Sequence, residues 1–113
     1  MEIKEQRHEE YVTLTPVGDL DANSSVVLDE KIQEMLEAGD VHIHIDGSEL
    51  PYISSAGLGV FVSHLDGIQN VGGSLVISGL NESVQDVFSL LGLDQLLTIV
   101  NHSEEAAQMF TKS

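Results

Sequence analysis

Two adjacent hydroxyls and a pair of glycines concentrate the chemistry of this sequence in the stretch Leu50-Pro51-Tyr52-Ile53-Ser54-Ser55-Ala56-Gly57-Leu58-Gly59-Val60-Phe61. Leu50-Pro51 biases the backbone away from the helical region. Leu58, Phe61, Val62, Leu65 and Ile68 then follow with helical spacing, so the stretch predicts a turn and a helix whose N-terminus carries both serines. Neither serine has the Glu or Gln of a capping box three positions on, since Gly57 stands there if Ser54 caps and Leu58 if Ser55 does. A glycine inside a helix costs about 1 kcal/mol relative to alanine. Gly57 and Gly59 therefore suggest that something comes close to the backbone. The residues admit two readings: an ordinary cap whose glycines let the helix pack tightly on a sheet, or a hydroxyl presented beside free backbone N–H groups, where a phosphate would be at home.

Other constellations are thinner. His42-x-His44 puts two imidazoles on one strand face, but no nearby third ligand completes a metal site, and a pair of half-exposed sheet residues is expected. A Ser-His-Asp hydrolase would have to combine Ser55, a histidine and Asp21 or Asp46 without a nucleophile-elbow pattern. No phosphate-binding glycine loop with a following lysine exists, and Gly57-Leu58-Gly59 lacks the third glycine of a dinucleotide fingerprint. The Asn-x-Ser triplets at Asn23, Asn81 and Asn101 read as helix caps.

The elements that must position the serines follow from periodicity. Glu2 to Thr15 predicts two short strands turning near His8-Glu9-Glu10, and Pro16 to Asp21 breaks the second. A helix capped by Asn23 or Ser24 buries Leu28, Ile32, Met35 and Leu36 and ends at Gly39. Val41 to Asp46 alternates strictly, with Val41, Ile43 and Ile45 on one face and His42, His44 and Asp46 on the other. The serine helix runs to about Asn70 and stops at Gly72-Gly73. Ser74 to Ser78 is a strand buried on both faces. Asn81 or Ser83 caps a third helix with Val84, Val87, Phe88 and Leu91 apolar, and Gly92 ends it. Leu96 to Val100 forms the last strand, and Ser103-Glu104-Glu105 opens a terminal helix carrying Ala106, Ala107 and Phe110. This alternation predicts an α/β fold in which an N-terminal hairpin joins a mostly parallel sheet of four to five strands with about four helices, crossing over right-handedly. Loops leaving the C-terminal ends of such strands gather at one edge, so Asp21 and Ser55 are expected to be neighbours.

At 113 residues the chain is expected to form a single domain over 1–113. It has no cysteine, so disulfides and thiolate metal sites are excluded. Nineteen acidic residues against Lys4, Arg7, Lys31 and Lys112 give a formal charge of −15, which repels nucleic acid and anionic lipid and attracts a basic partner face. No apolar run approaches the roughly 20 residues that span a bilayer, so a cytoplasmic protein without membrane or nucleic-acid partners is expected.

The ordered set Gly18-Asp19-Leu20-Asp21-Ala22, Ile45-Asp46-Gly47-Ser48, Tyr52 to Gly59, Gly72-Gly73-Ser74-Leu75, Val87-Phe88 and Leu91-Gly92-Leu93 resembles the bacterial anti-sigma-factor antagonists, the anti-anti-sigma STAS domains, over nearly the whole chain. That resemblance implies a non-enzymatic partner-switching protein without a cofactor. Unphosphorylated, such a protein binds an ATP-dependent serine kinase that doubles as an anti-sigma factor. Phosphorylation ends the binding, and a PP2C-type phosphatase dependent on manganese or magnesium restores it. The family's acceptor serine, two positions before Gly-Leu-Gly, maps onto Ser55. Ser54 stands where the family often has Asp, and Ala56 where it often has Ser or Thr. Asp21, Ser54, Ser55, Gly57 and Leu58 would belong to the contact surface, with Asp19 and Asp21 supplying charge for a basic kinase patch. Two rival readings are a STAS interaction module scaffolding a signalling complex unrelated to sigma factors, and a small hydrolase using Ser55.

Overall fold

The structure is a computed structural model describing residues 1–111; Lys112 and Ser113 lie outside the described residues. Strands β1 (Glu2–Arg7) and β2 (Val12–Val17) form the expected hairpin, paired antiparallel from Glu2↔Val17 to Arg7↔Val12. Helix and strand then alternate as α1 (Ala22–Glu37), β3 (His42–Asp46), α2 (Ser55–Asn70), β4 (Ser74–Ser78), α3 (Glu82–Leu90), β5 (Thr98–Val100) and α4 (Ser103–Thr111). The sheet runs β1-β2-β3-β4-β5, parallel from β2 onward. The α/β reading with a hairpin, a mostly parallel sheet and four helices is thus the observed architecture.

Strand alternation divides the chain into two layers around the sheet. Ile43, Ile45, Leu75 and Ile77 share one apolar core with Leu28, Ile32 and Met35 of α1, Leu58, Phe61 and Ile68 of α2, and Val84 and Phe88 of α3. The opposite face carries His42, His44 and Val76 and is covered by α4, whose Phe110 stacks on Tyr11 with ring centroids 4.6 Å apart. β4 is buried throughout except at Ser74, as a strand enclosed by helices on both faces requires.

Several expectations need correction. The cap of α1 is Asp21, not Asn23 or Ser24. The Asp21 carboxylate accepts from the N–H groups of Asn23 (3.0 Å) and Ser24 (2.9 Å), and the Ser24 hydroxyl accepts from the Asp21 N–H at 2.9 Å, a reciprocal box that starts the helix earlier than expected. His44 is not half-exposed. It is 3 % accessible because hydroxyls on both neighbouring strands meet its ring: Thr13 Oγ1 lies 3.0 Å from Nδ1, and Ser78 Oγ lies 2.7 Å from Nε2. The last strand is shorter than expected because Leu93–Gln95 winds into a 3₁₀ turn after Gly92, whose φ of 73° requires the left-handed region that glycine tolerates. Leu91 is consequently thrown outward at the end of α3, and Val62 of α2 is likewise exposed.

Candidate functional site

Two loops leave the C-terminal ends of β2 and β3 and are stitched together by backbone. Leu20 and Ile53 form a parallel bridge, the Leu20 N–H donates to Tyr52 C=O (2.9 Å), and the Ser54 N–H donates to Leu20 C=O (2.9 Å). Asp21, one residue after Leu20, therefore caps α1, and Ser55, one residue after Ser54, begins α2. The N-termini of two helices, capped by Asp21 and Ser54, open on the same edge of the sheet, as strand order anticipated.

The two serines do different work. Ser54 is the cap of α2: its oxygen accepts from the Gly57 N–H at 3.2 Å, and its hydroxyl donates to Leu20 C=O at 3.0 Å. Both its donor and an acceptor position are committed to holding the loops together. Ser55 is the first helical residue and is exposed, and no side-chain hydrogen bond among the described residues engages its hydroxyl. An exposed, unengaged hydroxyl at the positive end of a helix can receive an anionic group without dismantling local structure.

Gly57 fulfils the packing reading of the glycine pair. A Cβ there would stand 2.8 Å from Leu20 Cγ and 2.9 Å from Ile53 Cγ1, so the glycine lets α2 close onto the bridge. Gly59 has open space around it and no such requirement. Gly57 and Leu58 are both buried, Leu58 to 4 % accessibility, so of the expected contact residues these two support the surface from behind. Asp19, Asp21 and Ser55 face solvent, and Tyr52 and Ala56 are exposed beside them. Asp19 and Asp21, with Asn23, Ser24, Val27, Met1 and Val17, line an open cavity of about 460 Å³. Hydrogen bonds from Ser24, first its backbone N–H and then its hydroxyl, hold the Asp21 carboxyl below the usual carboxylate range.

Among the described residues no histidine is hydrogen-bonded to the Ser55 hydroxyl. His64 lies nine residues along α2 from Ser55, roughly 14 Å at 1.5 Å per residue, and its Nε2 is paired with Asp29 Oδ1 at 2.7 Å. His8, His42 and His44 are bonded to Thr13, Ser74 and Ser78 around the α4-covered face. No cluster of three or more metal-ligating side chains occurs among the described residues. No helix among those residues is long and apolar enough to cross a membrane.

Sequence reading missed the parts that hold this site in place. Leu20 acts through its backbone, which its residue type does not announce. The Asp21–Ser24 box was readable from an acid three residues before a hydroxyl, and the His44 network from Thr13, its register partner on β2, and Ser78, two residues beyond its partner Val76 on β4.

Comparison with known proteins gives a consistent picture. The family described as Mlab, STAS domain, matches residues 3–100. The anti-sigma-B factor antagonist of Bacillus subtilis strain 168 is 31% identical over 103 residues, covering 91% of this chain and 94% of that protein. The crystal structure of a candidate anti-sigma factor antagonist from Thermotoga maritima superposes with a TM-score of 0.92 at 27% identity, covering 97% and 95% of the two chains. The fold is shared as well with the phosphorylated form of the Bacillus cell fate determinant SpoIIAA, at a TM-score of 0.73 and 20% identity over 96% and 98% of the chains.

Proposed function

Because this chain belongs to the STAS-domain family of anti-sigma factor antagonists, we propose that it is a partner-switching regulator whose toggle is Ser55. In the unphosphorylated state it binds an ATP-dependent serine kinase that acts as an anti-sigma factor, releasing the sigma factor. Phosphorylation of Ser55 ends that binding, and a PP2C-type phosphatase restores it. In this reading the protein acts as a regulator and not as a catalyst.

One observation carries the choice of residue: the Ser55 hydroxyl is exposed and unengaged, whereas that of Ser54 is bound to Leu20 and Gly57. A kinase needs a free hydroxyl to align with its own base and metal-bound nucleotide, so the acceptor needs no activating histidine in its own chain. Phosphorylation adds about −1.5 to −2 charges, which the first turn of α2 accommodates. A fold neighbour is known in a phosphorylated form, compatible with modification that leaves this architecture standing. The loss falls on the interface. Burying an unmatched anion costs several kcal/mol, and each 1.4 kcal/mol is tenfold in affinity, so about a hundredfold weakening or more is expected. Asp19 and Asp21 supply the charge that draws a basic kinase face.

The test is a pull-down from native lysate with and without ATP, followed by mass-spectrometric location of phosphate. Recovery of an ATP-binding protein that is lost with ATP, together with phosphate on Ser55, supports the proposal. Retention of the same partner by Ser55-phosphorylated protein removes it.

A further inference from the structure

We propose that the corner where α3 turns into β5 is a second docking surface, built to take a basic amphipathic helix of a partner protein. Leu90, Leu91 and Leu96 are 86 %, 59 % and 58 % exposed. They are held on one tight turn, since Gly92 N–H donates to Ser89 C=O (3.1 Å) and Leu96 N–H to Leu93 C=O (3.1 Å). Large aliphatic side chains grouped on a soluble surface mark an interaction site more often than isolated ones do.

The apolar surface continues into a groove. The β4–β5 ladder begins only at Val76↔Thr98, so Ser74 and Leu75 have no β5 neighbour. The gap left there is an open cavity of about 140 Å³ in which Leu65, Leu75, Leu96 and the half-exposed Met109 stand beside the polar Gln69 and Thr98. Its volume is on the scale of one large aliphatic side chain, which Leu65, Leu75 and Leu96 would contact while Gln69 and Thr98 stay at its polar wall.

Charge selects the occupant. The turn is flanked by the exposed Asp86 and Asp94, and no lysine or arginine occurs between Ile32 and Thr111. Two copies meeting through this corner would bring like charges together, whereas a helix with a leucine stripe and flanking lysines matches both the apolar patch and its acidic rim. The corner lies at the far end of α3 from Asn81, whose side chain donates to Leu50 C=O in the loop before the serines. A helix of nine residues is roughly 13 Å long, which sets the corner about that far from the loop before the serines.

The probe is a synthetic 14-residue leucine/lysine amphipathic helix, titrated into ¹⁵N-labelled, unphosphorylated protein. The control peptide has every leucine replaced by serine at the same charge. The expected result is amide shifts concentrated at 89–97 and Met109, with at least about tenfold weaker binding of the serine peptide and of the Leu90→Ser/Leu96→Ser variant. Equal binding of the two peptides overturns the proposal, as do shifts spread over the acidic surface or centred on the starts of α1 and α2. A dimer of the free protein at micromolar concentration in sedimentation, dissociated by Leu90→Ser/Leu96→Ser, also overturns it by making a second copy the occupant. No kinase enters the experiment, so its failure leaves the Ser55 switch untouched.

Discussion

Replacing each serine of the pair by alanine separates the cap from the free hydroxyl. Ser54→Ala removes an N-cap acceptor, a loss of about 0.5–2 kcal/mol, and also the donor to Leu20 C=O, a further net contribution of about 0.5–1.5 kcal/mol. The Leu20 carbonyl keeps its bond from the Ser54 N–H, so it is not orphaned and the second contribution falls at the low end. A total of about 1–2.5 kcal/mol is expected, or about 4–10 °C in thermal midpoint for a domain of this size. Ser55→Ala changes an exposed residue at the first helical position and should move stability by no more than about 0.5 kcal/mol, near 2 °C. Thermal and urea unfolding followed by circular dichroism measure both. If Ser55→Ala proved as damaging as Ser54→Ala, or if Ser54→Ala were neutral, the division of labour between the two hydroxyls would be wrong. The reason for choosing Ser55 as the acceptor would go with it.

Gly57→Ala sets a helix-propensity gain of about 1 kcal/mol against overpacking of Leu20 and Ile53, typically about 1–3 kcal/mol. Net destabilisation is expected by urea titration, while Gly59→Ala, with open space around it, should be neutral or stabilising. Burial is the main cause that pushes the His44 imidazole below its ordinary pKa; His8 adds to the effect and Asp46 opposes it. The neutral ring is thus favoured in the fold, so its stabilising contribution is complete above the unfolded value near 6.5 and is lost as pH falls through the folded value. His44→Gln should flatten the wild-type fall in urea midpoint below pH 6.5; an unchanged slope would show that His44 does not titrate on unfolding. Asn81→Ala removes the cap of α3 and should cost about 0.5–2 kcal/mol, with amide exchange accelerated first in α3.

The fold was legible because the apolar spacing of each segment agrees with its neighbours. Ile43 and Ile45 alternate against His42 and His44, Leu28, Ile32 and Met35 share one helical stripe, and Gly39 and Gly72 stop helices where a left-handed residue is needed. The pairing of the Asp21 and Ser55 loops followed from parallel strand order alone. What pattern could not supply was tertiary in origin. The burial of His44 depends on hydroxyls 31 and 34 residues away in the chain, and on α4 closing over them. The exposure of Leu91 depends on the chain turning at Gly92 instead of completing another helical turn. The distinct roles of Ser54 and Ser55 depend on a backbone carbonyl, that of Leu20, which no side-chain motif encodes.

Calorimetric titration of the purified partner kinase with unphosphorylated and with Ser55-phosphorylated protein bears most directly on the switch. The account predicts tight binding of the first and at least about a hundredfold weaker binding of the second, a difference of about 2.7 kcal/mol or more. Affinities within about threefold of one another would contradict it.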